Sequence, residues 1–416
     1  MTESHRPAAL SGIRVLDLTR VLAGPWCTQN LADLGAEVIK IERPVSGDDT
    51  RNWGPPYVKD AYGRDTTEAA YYACANRNKY SVAVDIASPR GADVVRRLAR
   101  QCDVLVENFK VGGLRKYGLD YDSIRAVNPA LVYCSITGFG QTGPYANRPG
   151  YDFMIQGLGG LMSITGERDD LPGGGPQKAG VAVTDLMTGM YSTVAILAAL
   201  LERGRSGEGQ HIDMALLDCQ VAMLANQNMN YLTTGQAPRR AGNAHQNLVP
   251  YQVFAAQDGH LIVAVGNDMQ FQAYCRVIGQ ESLAEDRRFR RNNGRVVHRE
   301  ALIPILAEAM KRRPRDEWLL ALEQAGVPAG PINTLDQVHQ NPQVKARGLL
   351  QMVPHPLAGH VPTVANPIRL SASPLTARRG PPLLGEHTAM ILRERLGMSE
   401  AEIADFIAAN VNQTGH

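Results

Sequence analysis

Lysine is scarce in this chain of 416 residues: eight stand against 35 arginines. Codon usage accounts for the bias as a whole, and it leaves each retained lysine open to a defined task. Net charge is also missing. The 43 basic and 41 acidic residues leave +2, so no global field draws the chain to nucleic acid or a membrane. Six cysteines (27, 74, 102, 134, 219 and 275) form no CxxC and no Cys–His metal spacing. They read as separate reduced thiols, and no bound metal is expected. His355 and His360 match no zinc pattern either. The longest apolar run, Val194–Leu201, falls far short of the roughly 18 residues a bilayer span needs. The first residues, MTESHRPAALSG, carry neither an apolar signal core nor an Arg-rich transit pattern. A soluble, cytoplasmic protein is the expectation. No GxSxG and no Walker A sequence occurs, so serine-hydrolase and P-loop chemistry have no local support.

What is present is ordinary globular composition, 44% hydrophobic and 20% charged. Through the first 200 residues, short apolar runs alternate with helical patterns. Ile13–Leu18, Glu37–Ile41, Ser81–Ile86, Asp103–Val106 and Leu131–Ile136 read as strands. Segments near 25–34 and 89–100 read as helices, Pro89 sitting where its fixed φ suits a helix start. This alternation predicts an α/β fold with a mostly parallel, doubly wound sheet. Such sheets bind ligands at the carboxyl ends of their strands. That points to Arg20–Pro25, Glu42–Arg43, Glu107–Phe109 and Thr137–Gly143. Asp185–Arg203 reads as one helix, apolar on all faces in its second half and hence central and buried. His211–Ala215 reads as a strand and Leu217–Tyr231 as a further helix.

The style then changes. Tyr251–Ala256 and His260–Val265 flank Gln257-Asp258-Gly259, a hairpin signal, and helices follow near 269–277, 299–312 and 316–324. The expected layout is an amino-terminal part of a large domain (1–220), a linker (221–245), a small α+β domain (246–330) and a return segment (331–416).

Three motifs leave alternatives open. Gly138-Phe139-Gly140-Gln141-Thr142-Gly143 matches GxGxxG after a strand, but Pro144, Asn147, Pro149 and Gly150 forbid the helix a dinucleotide site needs. A ligand-covering loop fits better. Glu42 resembles a ribose-binding acid, although the first turn carries a single glycine. Asp185 at a helix start reads either as a cap or as an ionised nucleophile beside an apolar helix. Lys40, Arg43, Lys79, Lys110, Lys116 and Arg148 lie near strand ends, where they either hold a polyphosphate or stay solvated.

Across nearly its whole length the chain resembles the class III CoA-transferases (CaiB/BaiF type). The resemblance rests on LDLTRVLAGPWCTQNLADLGAEVIKIERPVSGDDTR (16–51), NRNKYSVAVDI (76–86), DVLVENFKVGGLRKYGL (103–119), CSITGFGQTGPYANRPGYD (134–152), VAVTDLMTGMYSTVAILAALLERGRSGEGQHIDMALLD (181–218), GVPAGPIN (326–333) and LLGEHT (383–388). It implies a Rossmann-like large domain built from both chain ends, a smaller inserted α+β domain and an interlocked homodimer. It implies CoA transfer from an acyl-CoA, with succinyl-CoA the expected donor and glutarate or a related dicarboxylate the expected acceptor. The cofactor is CoA as substrate, with none tightly bound, and no nucleic acid or membrane partner is implied.

The family's nucleophilic aspartate falls on Asp185, which would pass through an acyl anhydride and a CoA thioester. CoA contacts carry over to Val21, Ala23, Arg43, Lys79, Asn108, Phe109, Lys116 and Arg148. Arg20, Leu22 and Tyr151 fall at substrate positions, with Arg20 suited to the distal carboxylate of a dicarboxylic acid. Two departures matter. Gly266-Asn267-Asp268 stands where some members carry a run of lid glycines. Gly150-Tyr151-Asp152 stands where the family's 2-methylacyl-CoA racemases carry Gly-His-Asp, so racemization, the alternative activity, lacks its base.

Overall fold

The computed structural model describes residues 7–375 and 377–412. Tertiary contacts divide it into two compact units. The first runs through Gly160, then Ala179–Met229, then from Gln343 onward; the second joins Leu161–Lys178 to Asn230–Pro342.

The first unit is built on six strands: β1 (Arg14–Asp17), β2 (Glu37–Glu42), β3 (Lys79–Ala83), β4 (Val104–Glu107), β5 (Val132–Thr137) and β6 (His211–Ala215). They lie in the order β3-β2-β1-β4-β5-β6, and every pairing is parallel. Parallel strands need crossovers, and helices supply them. Helix α1 (Ala23–Asp33) follows β1, α2 (Pro89–Ala99) joins β3 to β4, and α3 (Asp152–Leu158) and α4 (Val183–Ser206) stand between β5 and β6. Helix α5 (Leu216–Met223) follows β6. Ser88 caps α2 by accepting from the Gly91 N–H, and Pro89 opens it.

Because strand side chains alternate, the sheet has two apolar faces. Leu16, Ile39, Leu105 and Tyr133 join α2 and the carboxyl-terminal Ile391, Leu392, Ile403 and Phe406 on one face. Val15, Val38, Val104, Val132 and Cys134 join α1 and α4 on the other. Helices α1 and α4 approach closely at Gly189, where an added Cβ would meet the Ala23 carbonyl at 2.7 Å.

Two expectations need correction here. Helix α4 is not central. It buries one face, including Thr184, Thr188, Gly189, Ser192 and Ile196, while Val194 and Leu201 are 60% and 75% exposed. Its 24 residues are long and apolar enough by composition to cross a membrane, but the buried face packs on α1. The helix expected over Leu217–Tyr231 breaks at Ala225, where φ is 42°.

The second unit holds the hairpin β7 (Tyr251–Ala255) and β8 (His260–Ala264), extended by β9 (Ala329–Pro331) in an antiparallel sheet. The Asp258-Gly259 turn lies where the sequence puts it. Helices α6 (Asp268–Val277), α7 (Arg299–Met310) and α8 (Arg315–Gln324) contribute Phe271, Leu306 and Trp318 to its core.

Candidate functional site

From β1 the chain proceeds outward through β2 and β3 on one side, and through β4 to β6 on the other. The switch point therefore lies between β1 and β4, and a crevice opens beyond their carboxyl ends. The two loops there are pinned together. Arg20 N–H donates to Asn108 Oδ1 at 3.1 Å, and Asn108 Nδ2 donates back to the Arg20 carbonyl at 2.7 Å. Val21 stands at φ 71°, a left-handed conformation that a β-branched residue adopts only at a cost of about 1–3 kcal/mol. Its N–H donates to Asp48 Oδ1, and Asp48 is itself fixed by Lys40 Nζ at 2.9 Å.

Two adjoining cavities occupy the crevice. The smaller, about 180 Å³, is lined by Arg20, Val21, Leu22, Ala23, Asn108, Phe109, Arg148, Tyr151 and Asp185, among others. The larger, about 560 Å³, is lined by Arg43 and Lys116 and shares Arg20, Phe109 and Lys110 with the first. Arg43, Lys110, Lys116 and Arg148 have no acidic partner among the described residues. The Arg148 guanidinium stacks 3.9 Å over the Tyr145 ring. Arg20 is different: its Nη1 pairs with Asp49 Oδ2 at 2.9 Å.

Asp185 is the one carboxylate among the described residues that line the smaller cavity. It is 8% exposed and sits in the first turn of α4. It does not cap its helix. Asp152, in the first turn of α3, does so from 32 residues away: Oδ1 accepts from the Thr184 and Asp185 N–H groups at 2.8 and 3.2 Å. Gln156 Nε2 donates to Asp152 Oδ2 at 2.6 Å, and Thr184 Oγ1 donates to the buried Gln220 Oε1. The Asp185 carboxylate receives no hydrogen bond among the described residues. Burial first, and then the Asp152 carboxylate, push its carboxyl up to about 7. Sequence reading missed Asp152, Gln156 and Gln220 as parts of this arrangement.

Lys79 departs from its expected CoA contact. It opens β3, its side chain is fully buried, and its Nζ donates to Asp17 Oδ2, the Pro25 carbonyl and Asn76 Oδ1 at 3.2, 2.9 and 2.9 Å. It lines neither cavity. Lys40 is likewise buried, between the Thr19 carbonyl and Asp48. Glu42 is committed to structure as well, each carboxylate oxygen taking an Arg51 hydrogen bond at 2.8 Å.

The first glycine of the GxGxxG segment serves backbone packing, while Gly140 and Gly143 stand at positive φ. A Cβ on Gly138 would stand 2.6 Å from the Gly150 Cα, so the loop crosses itself there and carries Arg148 and Tyr151 to the cavity wall. In the second unit, Gly266-Asn267-Asp268 begins a helix. Asn267 caps α6 by accepting from the Gln270 N–H, and Asp268 pairs with Arg291 and Arg295.

Known proteins match this layout over nearly the whole chain. The model for CoA-transferase family III matches residues 10–388. A succinate–glutarate CoA-transferase of Agrobacterium fabrum is 54% identical, covering 94% of this chain and 96% of its own length. A succinyl-CoA:glutarate CoA-transferase of Homo sapiens is 44% identical over 97% of this chain and 89% of its own. The crystal structure of a CAIB/BAIF family protein from Brucella suis superposes with a TM-score of 0.81 at 51% identity, covering 94% of this chain and all of that one. The chain belongs to CoA-transferase family III.

Proposed function

We propose that this protein moves CoA from succinyl-CoA to glutarate or a closely related dicarboxylic acid, with Asp185 as the covalent carrier. The observation that carries this reading is the unpartnered Asp185 carboxylate in a small cavity that adjoins a larger, cation-lined one. CoA is long, with phosphates at one end and a thiol at the other. Arg43, Lys110 and Lys116 suit the phosphates, Phe109 suits the adenine, and the thioester reaches Asp185. Val21, Ala23 and Asn108 line the passage, with Leu22 on the same wall.

In the proposed chemistry the Asp185 carboxylate attacks the thioester carbonyl. The C–S bond breaks, CoA leaves as thiolate, and a mixed anhydride remains. The thiolate then attacks the aspartyl carbonyl. The donor leaves as a free carboxylate, and CoA is held on Asp185 as a thioester. The acceptor carboxylate attacks that thioester, giving a second anhydride, and the thiolate opens it at the acceptor carbonyl. Each step exchanges one acyl bond for another, so no phosphate-bond energy enters. Water must be kept from the anhydrides. The acceptor's second carboxylate needs a cation. Arg148 has no acidic partner, and Arg20 would have to share with Asp49. Racemization is disfavoured, because position 151 bears a phenol where an imidazole base would stand.

We also propose a cytoplasmic homodimer, interlocked as the resemblance implies, with the small α+β domain as an insertion. The open apolar face of α4, with Tyr151, Phe153 and Leu158 on and beside α3, supports a second copy covering it.

One experiment tests the activity. The protein is incubated with succinyl-CoA and a panel of mono- and dicarboxylic acids, with Asp185→Ala alongside, and acyl-CoA products are read by mass. Glutaryl-CoA or a near homologue is expected from the wild type and none from the variant; no new acyl-CoA from any acid overturns the proposal. A second expectation concerns the larger cavity. Arg43→Ala and Lys116→Ala should each raise the KM for acyl-CoA about tenfold, roughly 1.4 kcal/mol, and leave kcat nearly unchanged. The rise should shrink in high salt, because exposed charges are screened. A kcat loss at unchanged KM would reject the phosphate role.

A further inference from the structure

We infer that Asp152 is a positioning residue for Asp185: its carboxylate fixes the first turn of α4 and brings a second negative charge to the nucleophile's surroundings. This rests on the reading of Asp185 as the nucleophile. A helix amino terminus ordinarily stabilises a nearby anion through its free N–H groups and dipole. Here those groups are already taken. The Thr184 and Asp185 N–H groups point to Asp152 Oδ1 at 2.8 and 3.2 Å, so the second carboxylate, not the nucleophile, holds the helix end.

Asp152 is held in turn. Gln156, fully buried, donates to its other oxygen at 2.6 Å, while Gln156 Oε1 accepts from the Ala179 N–H at 2.9 Å. That ties α3 to the segment leading into α4. The arrangement has two consequences. The backbone carrying Asp185 is fixed without any bond to its carboxylate, which stays free to attack. The neighbouring negative charge keeps that carboxylate basic, as burial does more strongly. A more basic carboxylate is a better nucleophile once ionised.

The other titratable groups near Asp185, or on helices packed against α4, do not undo this. Tyr71, from the short helix Ala70–Ala73, is pushed up to about 12 by burial, with Asp185 and Asp152 adding to the rise. Packed helix α1 brings Cys27, raised to about 12 by burial, and Asp33, paired with Arg77. Helix α5 brings Cys219, raised by burial, and the exposed Asp218. Arg20, Lys110 and Arg148 line the cavity wall.

The test is the pH dependence of kcat/KM for the acyl-CoA donor between pH 5 and 9, in wild type, Asp152→Asn, Asp152→Ser and Asp185→Ala. The wild-type rate should climb through about pH 7. Asp152→Asn keeps an oxygen for the two N–H groups and removes the charge. Its acid limb should move down by about half a unit or more, so that at pH 6 it retains roughly two- to threefold more of its own plateau. The plateau itself should fall. Asp152→Ser, a short uncharged cap, should shift the limb the same way and serves if the Asn variant folds poorly. A purely structural residue would lower the plateau and leave the limb in place. An unmoved limb in both variants overturns the inference. An active Asp185→Ala overturns the nucleophile reading instead, whatever the limb does.

Discussion

Asp185→Asn should lose CoA transfer by about 10⁴-fold or more and, above neutral pH, be more stable than the wild type. The loss follows from covalent catalysis: an amide cannot form the anhydride, and no second carboxylate lines the cavity among the described residues. The gain follows from linkage. The folded-state carboxyl stands at about 7 against an ordinary 3.8, raised by burial and then by Asp152. Between those values the folded protein keeps a proton that the unfolded chain releases. Wild-type stability contributed by this group is therefore present below about pH 4 and lost as pH rises through 7. Fully ionised, the buried carboxylate costs at most about 4 kcal/mol. Asparagine has no proton to lose. The difference in Tm between the variant and the wild type should be near zero at pH 4 and largest at pH 8. A difference that does not change with pH would mean that Asp185 is not held at a raised value. Retained transfer would remove it as the carrier.

This trade of stability for reactivity is written in parts of the sequence far from one another. Most strands were legible because they are short apolar runs, although His211–Ala215 is not one, and their parallel direction because helical patterns separate them. Asp185 was legible as a helix-start carboxylate, but whether it was cap or nucleophile was not. That depends on Asp152, Gln156 and Gln220, which lie 29 to 35 positions away and reach α4 only through the fold. The GxGxxG segment was legible as a loop from its prolines. The reason for its first glycine, a backbone crossing at Gly150, is tertiary. Helix α4 misled because apolar composition does not say which surface covers it. One face meets α1, and the other is left open in a single chain.

Lys79→Met should remove about 3–5 kcal/mol of stability and leave the KM for acyl-CoA unchanged. A lysine near a strand end reads as a phosphate ligand, yet this one opens β3 with its side chain fully buried. Its ammonium supplies donors to Asp17, the Pro25 carbonyl and Asn76, all on buried residues. Asp17 opposes burial with Lys79, Lys40, Thr19 and Thr28, and together they hold it at about 2. Methionine fills the space and abandons all three acceptors. The pH dependence separates charge from hydrogen bonding. Burial, only partly offset by Asp17, brings Lys79 down to about 8 from 10.5. The folded protein therefore gives up this proton more readily than the unfolded chain, and wild-type stability from this group rises with pH between those values. The neutral amine still donates, through two N–H groups instead of three. The deficit of Lys79→Met, measured by denaturant unfolding, should accordingly widen from pH 7 to 9.5. A stable variant with a raised KM would return Lys79 to the ligand; a deficit that narrows over that range would mean the ion pair, not the donors, holds the strand.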